Sequence, residues 1–225
     1  MIRAVAWDID GTLVDSEPRH HRALLAASRA LGVDLADLPD EAFRGIHMLD
    51  VWEALRDRYP QSVARDGWLD MINASYVADP EPLAPMPGAW QAITELHGRG
   101  LAQICVSNSN RSVVDANVAS LGIGRFLAGS ISLDDVAAGK PDPEPYRLAC
   151  RQLGLDPRCV VAIEDSATGA MSARQAGMCV IGFGEEVAER DVDARCLDLS
   201  QIPQIILGLP VLPAGLGPGS DARSV

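Results

Sequence analysis

Residues 4–12 read Ala-Val-Ala-Trp-Asp-Ile-Asp-Gly-Thr, an apolar run that ends abruptly at two aspartates. A short, continuous apolar run of this kind is typical of a strand buried on both faces of a parallel sheet. Asp8 and Asp10 then lie at the carboxyl end of the strand. Because ligands of open parallel sheets bind beyond the carboxyl ends of the strands, this stretch predicts both the fold class and one wall of a binding site.

Similar apolar runs recur after Gly88 and alternate with segments of helical spacing. We predict strands at 101–106, 126–131, 159–163 and 178–181, and helices at 89–97, 112–121, 143–153 and 167–176. Such alternation indicates a mostly parallel sheet covered by helices on both faces. The predicted fold class is therefore α/β, with a three-layer Rossmann-like core built on a parallel sheet.

The segment between the first strand and Gly88 has a different pattern. Residues 16–84 carry apolar residues at helical spacing without a strand pattern, and four prolines fall between positions 80 and 87. We predict an inserted all-helical cap domain at 16–84, joined by a proline-rich hinge to a catalytic core formed by 1–15 and 85–209. Residues 210–225 are rich in proline, glycine and serine and are predicted to form a flexible tail.

Composition narrows the range of partners. The formal charge of −12, from 31 acidic and 19 basic side chains, argues against binding to nucleic acid or to an anionic membrane surface. No apolar segment is long enough for a signal peptide or a membrane span. The five cysteines form no C-x-x-C pair and are odd in number, which favours reduced thiols over a disulfide framework or a zinc site. We therefore expect a cytoplasmic protein, and a monomer by default.

Polar clusters follow three of the predicted strands, and a fourth cluster precedes a helix. The clusters are Asp8-Ile9-Asp10, Ser107-Asn108-Ser109, Glu164-Asp165-Ser166 and Gly139-Lys140-Pro141-Asp142. Each cluster alone is equally consistent with a turn, a helix cap or a solvated lysine. Together they are predicted to meet at one edge of the sheet. Carboxylates that lie close together repel one another unless a cation sits among them, and Mg²⁺ prefers such oxygen ligands.

These four clusters resemble the four motifs of the haloacid dehalogenase superfamily, in the subgroup of phosphatases and β-phosphoglucomutase-like enzymes that carry a helical cap. The matching segments are DIDGTLVDSE, SNSN, GKPDP and IEDS, which run from Asp8 to Ser166. DxDGT and GKPDP are specific signals, whereas the serine motif is weak without its neighbours. The resemblance implies a magnesium-dependent phosphatase that acts on a small phosphorylated metabolite, such as a sugar phosphate.

The resemblance also implies a role for each motif residue. Asp8 would be the nucleophile that forms an aspartyl phosphate, and Asp10 would protonate the leaving oxygen and then activate water. Lys140 would bridge the phosphate and Asp8. The implied phosphate contacts are Ser107 and the Asn108 backbone N–H, and the implied Mg²⁺ ligands are Asp8, the Asp10 carbonyl, Asp165 and, directly or through water, Glu164. Dehalogenases of the superfamily lack the second aspartate, so Asp10 favours phosphate chemistry.

Two alternatives stay open at this stage. A sugar phosphomutase of the β-phosphoglucomutase type is favoured by His20, which lies where that mutase has a functional histidine, but Met48 and Asn110 stand where it has an arginine and a lysine. The other alternative is a catalytically silent binding protein, although no motif residue is missing. We expect the cap to select the substrate, with Arg44, His47 and His20 as the candidate substrate-binding residues.

Overall fold

The computed structural model describes residues 1–39, 42–43 and 48–209. Arg44, His47 and the predicted tail at 210–225 lie outside the described residues. The described chain contains the strands β1 (Ala4–Trp7), β2 (Val14–Asp15), β3 (Ala84–Pro85), β4 (Ala102–Val106), β5 (Gly129–Ile131), β6 (Val160–Glu164), β7 (Cys179–Phe183) and β8 (Ala194–Cys196). Its helices are α1 (Glu17–Ala30), α2 (Met48–Leu55), α3 (Arg65–Ala78), α4 (Ala89–Gly98), α5 (Arg111–Leu121), α6 (Glu144–Leu153), α7 (Ala167–Ala176) and α8 (Ile202–Gly208).

Six strands form one parallel sheet in the order β5-β4-β1-β6-β7-β8. β1 lies in the middle, and its four residues are completely buried. Successive side chains of a strand point to opposite faces, so Val5 and Trp7 pack on one side of the sheet and Ala4 and Ala6 on the other. The result is the predicted three-layer α/β fold.

Each face of the sheet has its own apolar cluster. The side that holds Trp7 is covered by α4, α5 and α8, through side chains such as Ile93, Val114 and Ile202. The opposite side is covered by α6 and α7, whose contact residues include Ala149 and Ala173. Both clusters are continuous along the strands, which fixes the six carboxyl ends at one edge of the sheet.

The inserted segment forms a third apolar cluster with the helices α1, α2 and α3. Its largest buried side chains are Trp52, Trp68 and Tyr76, and Val113 of the core helix α5 also belongs to it. β2 and β3 pair antiparallel, with Asp15 opposite Ala84, so the entry and exit of the segment lie side by side. The connection to the core is thus a short two-stranded ribbon rather than a proline-rich linker alone.

Several elements differ from the sequence-based expectation. The strand predicted at 126–131 begins only at Gly129, because Gly124–Phe126 forms a 3₁₀ turn. β2, β3 and β8 were not predicted, since strands of two or three residues are too short to show a periodic pattern. α8 was also missed, although Pro203 lies in its first turn, where proline is well tolerated. None of the described helices is long and apolar enough to cross a membrane.

Candidate active site

Asp8 directly follows β1, where its backbone N–H donates to the carbonyl of Ile163 on β6 (3.0 Å). The chain then turns at Gly11, which has a left-handed φ of 84°. A Cβ at this position would lie 2.0 Å from Oδ2 of Asp165, so the turn requires a glycine both for its backbone and for the close approach. The turn therefore places Asp165 of the β6 end beside the β1 end.

Lys140 joins two of these carboxylates. Its ammonium donates to Asp8 Oδ1 (2.6 Å), to Glu164 Oε1 (2.6 Å) and to the Val106 carbonyl (2.9 Å). Burial alone would lower the pKa of Lys140, but the charges of Asp8 and Glu164 outweigh burial and raise that pKa above its ordinary value. Lys140 is also the sole lysine among 19 basic residues. The site thus holds a compact, permanently charged cation between two strand ends.

The carboxylates of Asp8, Glu164 and Asp165 could hold a metal ion, since each offers an oxygen within 4.8 Å of the others. Oδ2 of Asp8 is buried without a hydrogen-bond partner. Burial, followed by the charge of Glu164, raises the pKa of Asp165 to about 7, and burial likewise raises the pKa of Asp8 well above its ordinary value. The single ammonium group of Lys140 does not neutralise the charge of three carboxylates. These oxygen ligands therefore fit a hard divalent cation such as Mg²⁺.

Glu164 is the most enclosed of the three acids, with no exposed surface. Besides Lys140, its Oε1 accepts from the Tyr146 hydroxyl of α6, and its Oε2 accepts from Ser166 (3.3 Å). A Cβ at Gly169 of α7 would lie 1.9 Å from the same carboxylate. The structure therefore places Glu164 as the counter-ion of Lys140, next to the candidate metal site. Direct metal binding by Glu164 stays a prediction.

The side chain of Asp10 belongs to a separate hydrogen-bond network. Ser107 and Ser109, beyond the end of β4, donate to its Oδ2 (3.0 and 2.9 Å), Asn117 of α5 donates to Oδ1 (3.0 Å), and His20 of α1 lies 3.6 Å from Oδ1. Burial would raise the pKa of Asp10. The neighbouring His20 imidazole, together with the serine donors, instead lowers the pKa of Asp10 below its ordinary value. Any contact of Asp10 with a metal ion is expected through its backbone carbonyl.

Asn108 orients the loop that carries Lys140. Its side-chain amide donates to the Lys140 carbonyl (3.0 Å) and accepts from the Lys140 backbone N–H (2.7 Å). These two bonds leave the Asn108 side chain engaged with protein, so phosphate binding is expected through its backbone N–H. The four predicted motifs thus meet at one edge of the sheet.

Of the three candidate substrate-binding residues, the structure describes one. His20 lies beside Asp10, whereas Arg44 and His47 fall outside the described residues.

Asn110 bonds to Asn73 of α3 and to Asp134. The neighbouring Arg111 donates hydrogen bonds to Ser130, Asp115 and Asp135.

Sequence reasoning missed two residues of the site. Tyr146 was read as part of a helix, and Asn117 occupies a core-facing position of α5 beside the buried Val113, Val114 and Leu121. A polar residue in an otherwise apolar helical stripe was the available signal for Asn117.

Comparisons with known proteins point to one protein family. The sequence pattern of the haloacid dehalogenase-like hydrolases matches residues 2–177. The chain is 29% identical to validoxylamine A 7′-phosphate phosphatase of Streptomyces hygroscopicus subsp. limoneus, covering 91% of this chain and 99% of the relative. It is 32% identical to a phosphoglycolate phosphatase of Yersinia pseudotuberculosis, with coverages of 94% and 95%.

Its fold is similar to that of CbbY from Rhodobacter sphaeroides, which was solved in complex with phosphate. The TM-score is 0.79 and the identity 27%, with 90% of this chain and 96% of that chain covered. A variant of the same protein was solved in complex with xylulose-(1,5)bisphosphate.

Proposed function

Because the chain belongs to the haloacid dehalogenase-like hydrolase family, we propose that it is a phosphatase that hydrolyses a small phosphorylated metabolite. The observation that carries this proposal is the pair of carboxylates Asp8 and Asp10, which lie at one strand end in two different environments. Asp8 is paired with Lys140, and its Oδ2 is buried without a partner. Asp10 is held by neutral donors and His20. Lys140 favours the ionised form of Asp8 that a nucleophile needs, whereas the donors around Asp10 fix the orientation of its carboxyl group, so the two carboxylates are suited to different roles in one reaction.

In the first step a carboxylate oxygen of Asp8 attacks phosphorus, and the ester P–O bond breaks as the new bond forms. Lys140 holds the Asp8 carboxylate in place during the attack. Asp10 gives its proton to the leaving oxygen. An approaching phosphate dianion raises the pKa of a nearby carboxyl by repulsion, so substrate binding favours the protonated form of Asp10 that this step requires.

In the second step water attacks the aspartyl phosphate and Asp10 accepts its proton, which releases inorganic phosphate and restores Asp8. The backbone N–H of Asn108 holds a phosphate oxygen during both steps, and the Ser107 hydroxyl holds another when it turns from Asp10 to the phosphate. A Mg²⁺ ion bound by Asp8, the Asp10 carbonyl and Asp165, with Glu164 beside them, would screen the charge between carboxylate and phosphate.

The relatives and the cap support the proposed substrate class. The two curated relatives are named for validoxylamine A 7′-phosphate and phosphoglycolate, and CbbY was solved with a sugar bisphosphate. In this proposal 1–15 and 85–209 form the catalytic core, and 16–84 form the cap that selects the metabolite, with His20, Arg44 and His47 as contact residues. A cytoplasmic location and a monomeric state belong to the same proposal.

The test is phosphate release from a panel of esters: phosphoglycolate, sugar phosphates, hexitol phosphates, xylulose-1,5-bisphosphate and 4-nitrophenyl phosphate. Wild type with Mg²⁺ is expected to hydrolyse at least one of them, and chelation of the metal or Asp8→Asn is expected to reduce the rate by at least about 10³-fold. Asp66→Asn is the matched control, since the Asp66 side chain is 82% exposed on α3. Equal rates for Asp8→Asn and wild type would contradict the proposal, and complete inactivity on the whole panel would favour a silent binding protein.

The mutase alternative has one supporting observation, the position of His20 beside Asp10. The same assay separates the two reactions. A mutase converts a sugar 1-phosphate into its 6-phosphate without net release of inorganic phosphate, whereas a phosphatase releases phosphate in proportion to the ester consumed.

A further inference from the structure

Asn117 is a completely buried polar residue on the side of α5 that otherwise presents valine and leucine. An unpaired polar group at such a place destabilises the folded protein. Both ends of the Asn117 amide are paired. Its Oδ1 accepts from the Tyr76 hydroxyl of α3 (2.7 Å), and its Nδ2 donates to Asp10 Oδ1 (3.0 Å). Two hydrogen bonds therefore run from a cap helix to the carboxylate of Asp10.

The donors and acceptors on either side of Asn117 determine which end of its amide faces Asp10. Oδ1 of Asp10 accepts a hydrogen bond whether the carboxyl group is ionised or carries its proton on Oδ2, so Asn117 has to turn its NH₂ group toward Asp10. An isolated asparagine amide can rotate and present its oxygen instead. The Tyr76 hydroxyl prevents this rotation because it donates to Oδ1. Burial, and then the charge of Asp10, raise the pKa of Tyr76, so the hydroxyl keeps the proton that it donates.

Tyr76 is itself tightly held. Its ring lies 4.4 Å from the ring of His20, and the guanidinium carbon of Arg19 lies 5.4 Å from its centroid. One turn earlier on α3, Asn73 donates to Oδ1 of Asn110 at the start of α5 (3.0 Å). The packing of α3 against α5 thus determines the orientation of the Asn117 amide that contacts Asp10.

We infer that Tyr76 and Asn117 are positioning residues for proton transfer by Asp10: Tyr76 fixes the Asn117 amide, and Asn117 fixes Oδ1 of the carboxylate relative to the leaving oxygen. The inference deepens the proposed phosphatase function and rests on it. It links acid catalysis by Asp10 to the packing of the cap on the core, because Tyr76 lies on the cap helix α3 and Asn117 on the core helix α5.

The test uses the dependence of rate on the leaving group. An alkoxide leaving group needs a proton, whereas 4-nitrophenolate leaves without one, so a misplaced Asp10 slows hydrolysis of alkyl esters selectively. The quantity to compare is kcat/KM, which reports the steps up to transfer of the phosphoryl group to Asp8. For the alkyl phosphate that wild type hydrolyses fastest, we expect a loss of roughly 10²-fold in Asn117→Ala and roughly 10-fold in Tyr76→Phe. For 4-nitrophenyl phosphate we expect a loss of about 3-fold or less.

The matched control is Tyr59→Phe. Tyr59 is a buried cap tyrosine whose hydroxyl bonds to Ser28 (2.6 Å), so this variant loses the same kind of hydrogen bond with no route to Asp10. It is expected to leave the ratio of alkyl to aryl rates unchanged. Tyr76→Phe should add no further loss in the Asn117→Ala background. Equal losses on both ester classes, or a Tyr76→Phe variant that behaves like Tyr59→Phe, would overturn the inference.

A second readout needs no turnover. The side-chain NH₂ signals of Asn117 in ¹H–¹⁵N spectra, identified by their absence in Asn117→Ala, should shift in Tyr76→Phe and not in Tyr59→Phe. Should Asn117→Ala not fold, assignment of the labelled wild type replaces it. An inactive wild type would contradict the proposed function alone, whereas unchanged Asn117 signals in Tyr76→Phe would contradict the positioning network.

Discussion

At the scale of single residues, charge balance dominates the candidate site. Asp8, Glu164 and Asp165 lie within 4.8 Å of one another, and Lys140 contacts the first two. Lys140 offsets part of the repulsion among these three carboxylates. Burial, followed by the charge of Glu164, raises the pKa of Asp165 to about 7, and a divalent cation would offset the remaining negative charge.

The raised pKa of Asp165 predicts how pH controls the stabilisation of the folded protein by Mg²⁺. Because the folded-state pKa of Asp165 lies above its ordinary value of 3.8, the folded chelator-treated protein holds an extra proton between these values. The contribution of Asp165 to the free energy of unfolding therefore falls as the pH rises from about 4 to about 7. Mg²⁺ needs the ionised carboxylate, so its effect on Tm should grow from about pH 5 to about pH 8.

Thermal unfolding with and without millimolar Mg²⁺, at constant ionic strength, measures this effect. Asp165→Asn should remove most of the shift in Tm at both pH values, while Asp66→Asn should retain it. A Tm shift of the same size at both pH values in wild type would count against a metal site at these carboxylates.

At the scale of secondary-structure elements, α7 shows how packing overrides helix propensity. Gly169 lies inside this helix, where alanine ordinarily stabilises by about 0.5–1 kcal/mol. Here the added Cβ would meet the Glu164 carboxylate at 1.9 Å. The glycine lets the helix pack directly on the residue that pairs with Lys140.

We therefore expect Gly169→Ala to destabilise the protein by about 1–3 kcal/mol and to reduce phosphate release, because Glu164 is displaced from Lys140. Gly67→Ala in α3 is the matched change, since a Cβ there meets no atom within 4 Å. It should stabilise by about 0.5–1 kcal/mol and leave activity unchanged. Urea unfolding and a phosphate-release assay measure both quantities, and a stabilised, fully active Gly169→Ala would refute this view of the helix.

At the scale of the whole molecule, the sequence predicted which strand ends meet but not how their side chains pair. The parallel sheet follows from apolar runs such as 4–7, because strands buried on both faces have a pattern that is independent of their partners. The pairing of Glu164 with Lys140 depends on Tyr146 and Gly169, which no periodicity connects. The contact between Tyr76 and Asn117 depends on how the cap helices pack on α5, and an apolar pattern leaves that packing open.

The most direct test of the central claim, that Asp8 is the nucleophile, is detection of a phosphoryl group on this residue during turnover. The enzyme is mixed with its best substrate and Mg²⁺, quenched in acid within one turnover, digested and examined by mass spectrometry. We expect a phosphoryl group on Asp8 in the peptide that carries Asp8 and Asp10, and none in Asp8→Asn. A phosphorylated residue elsewhere, or continued phosphate release by Asp8→Asn, would contradict it.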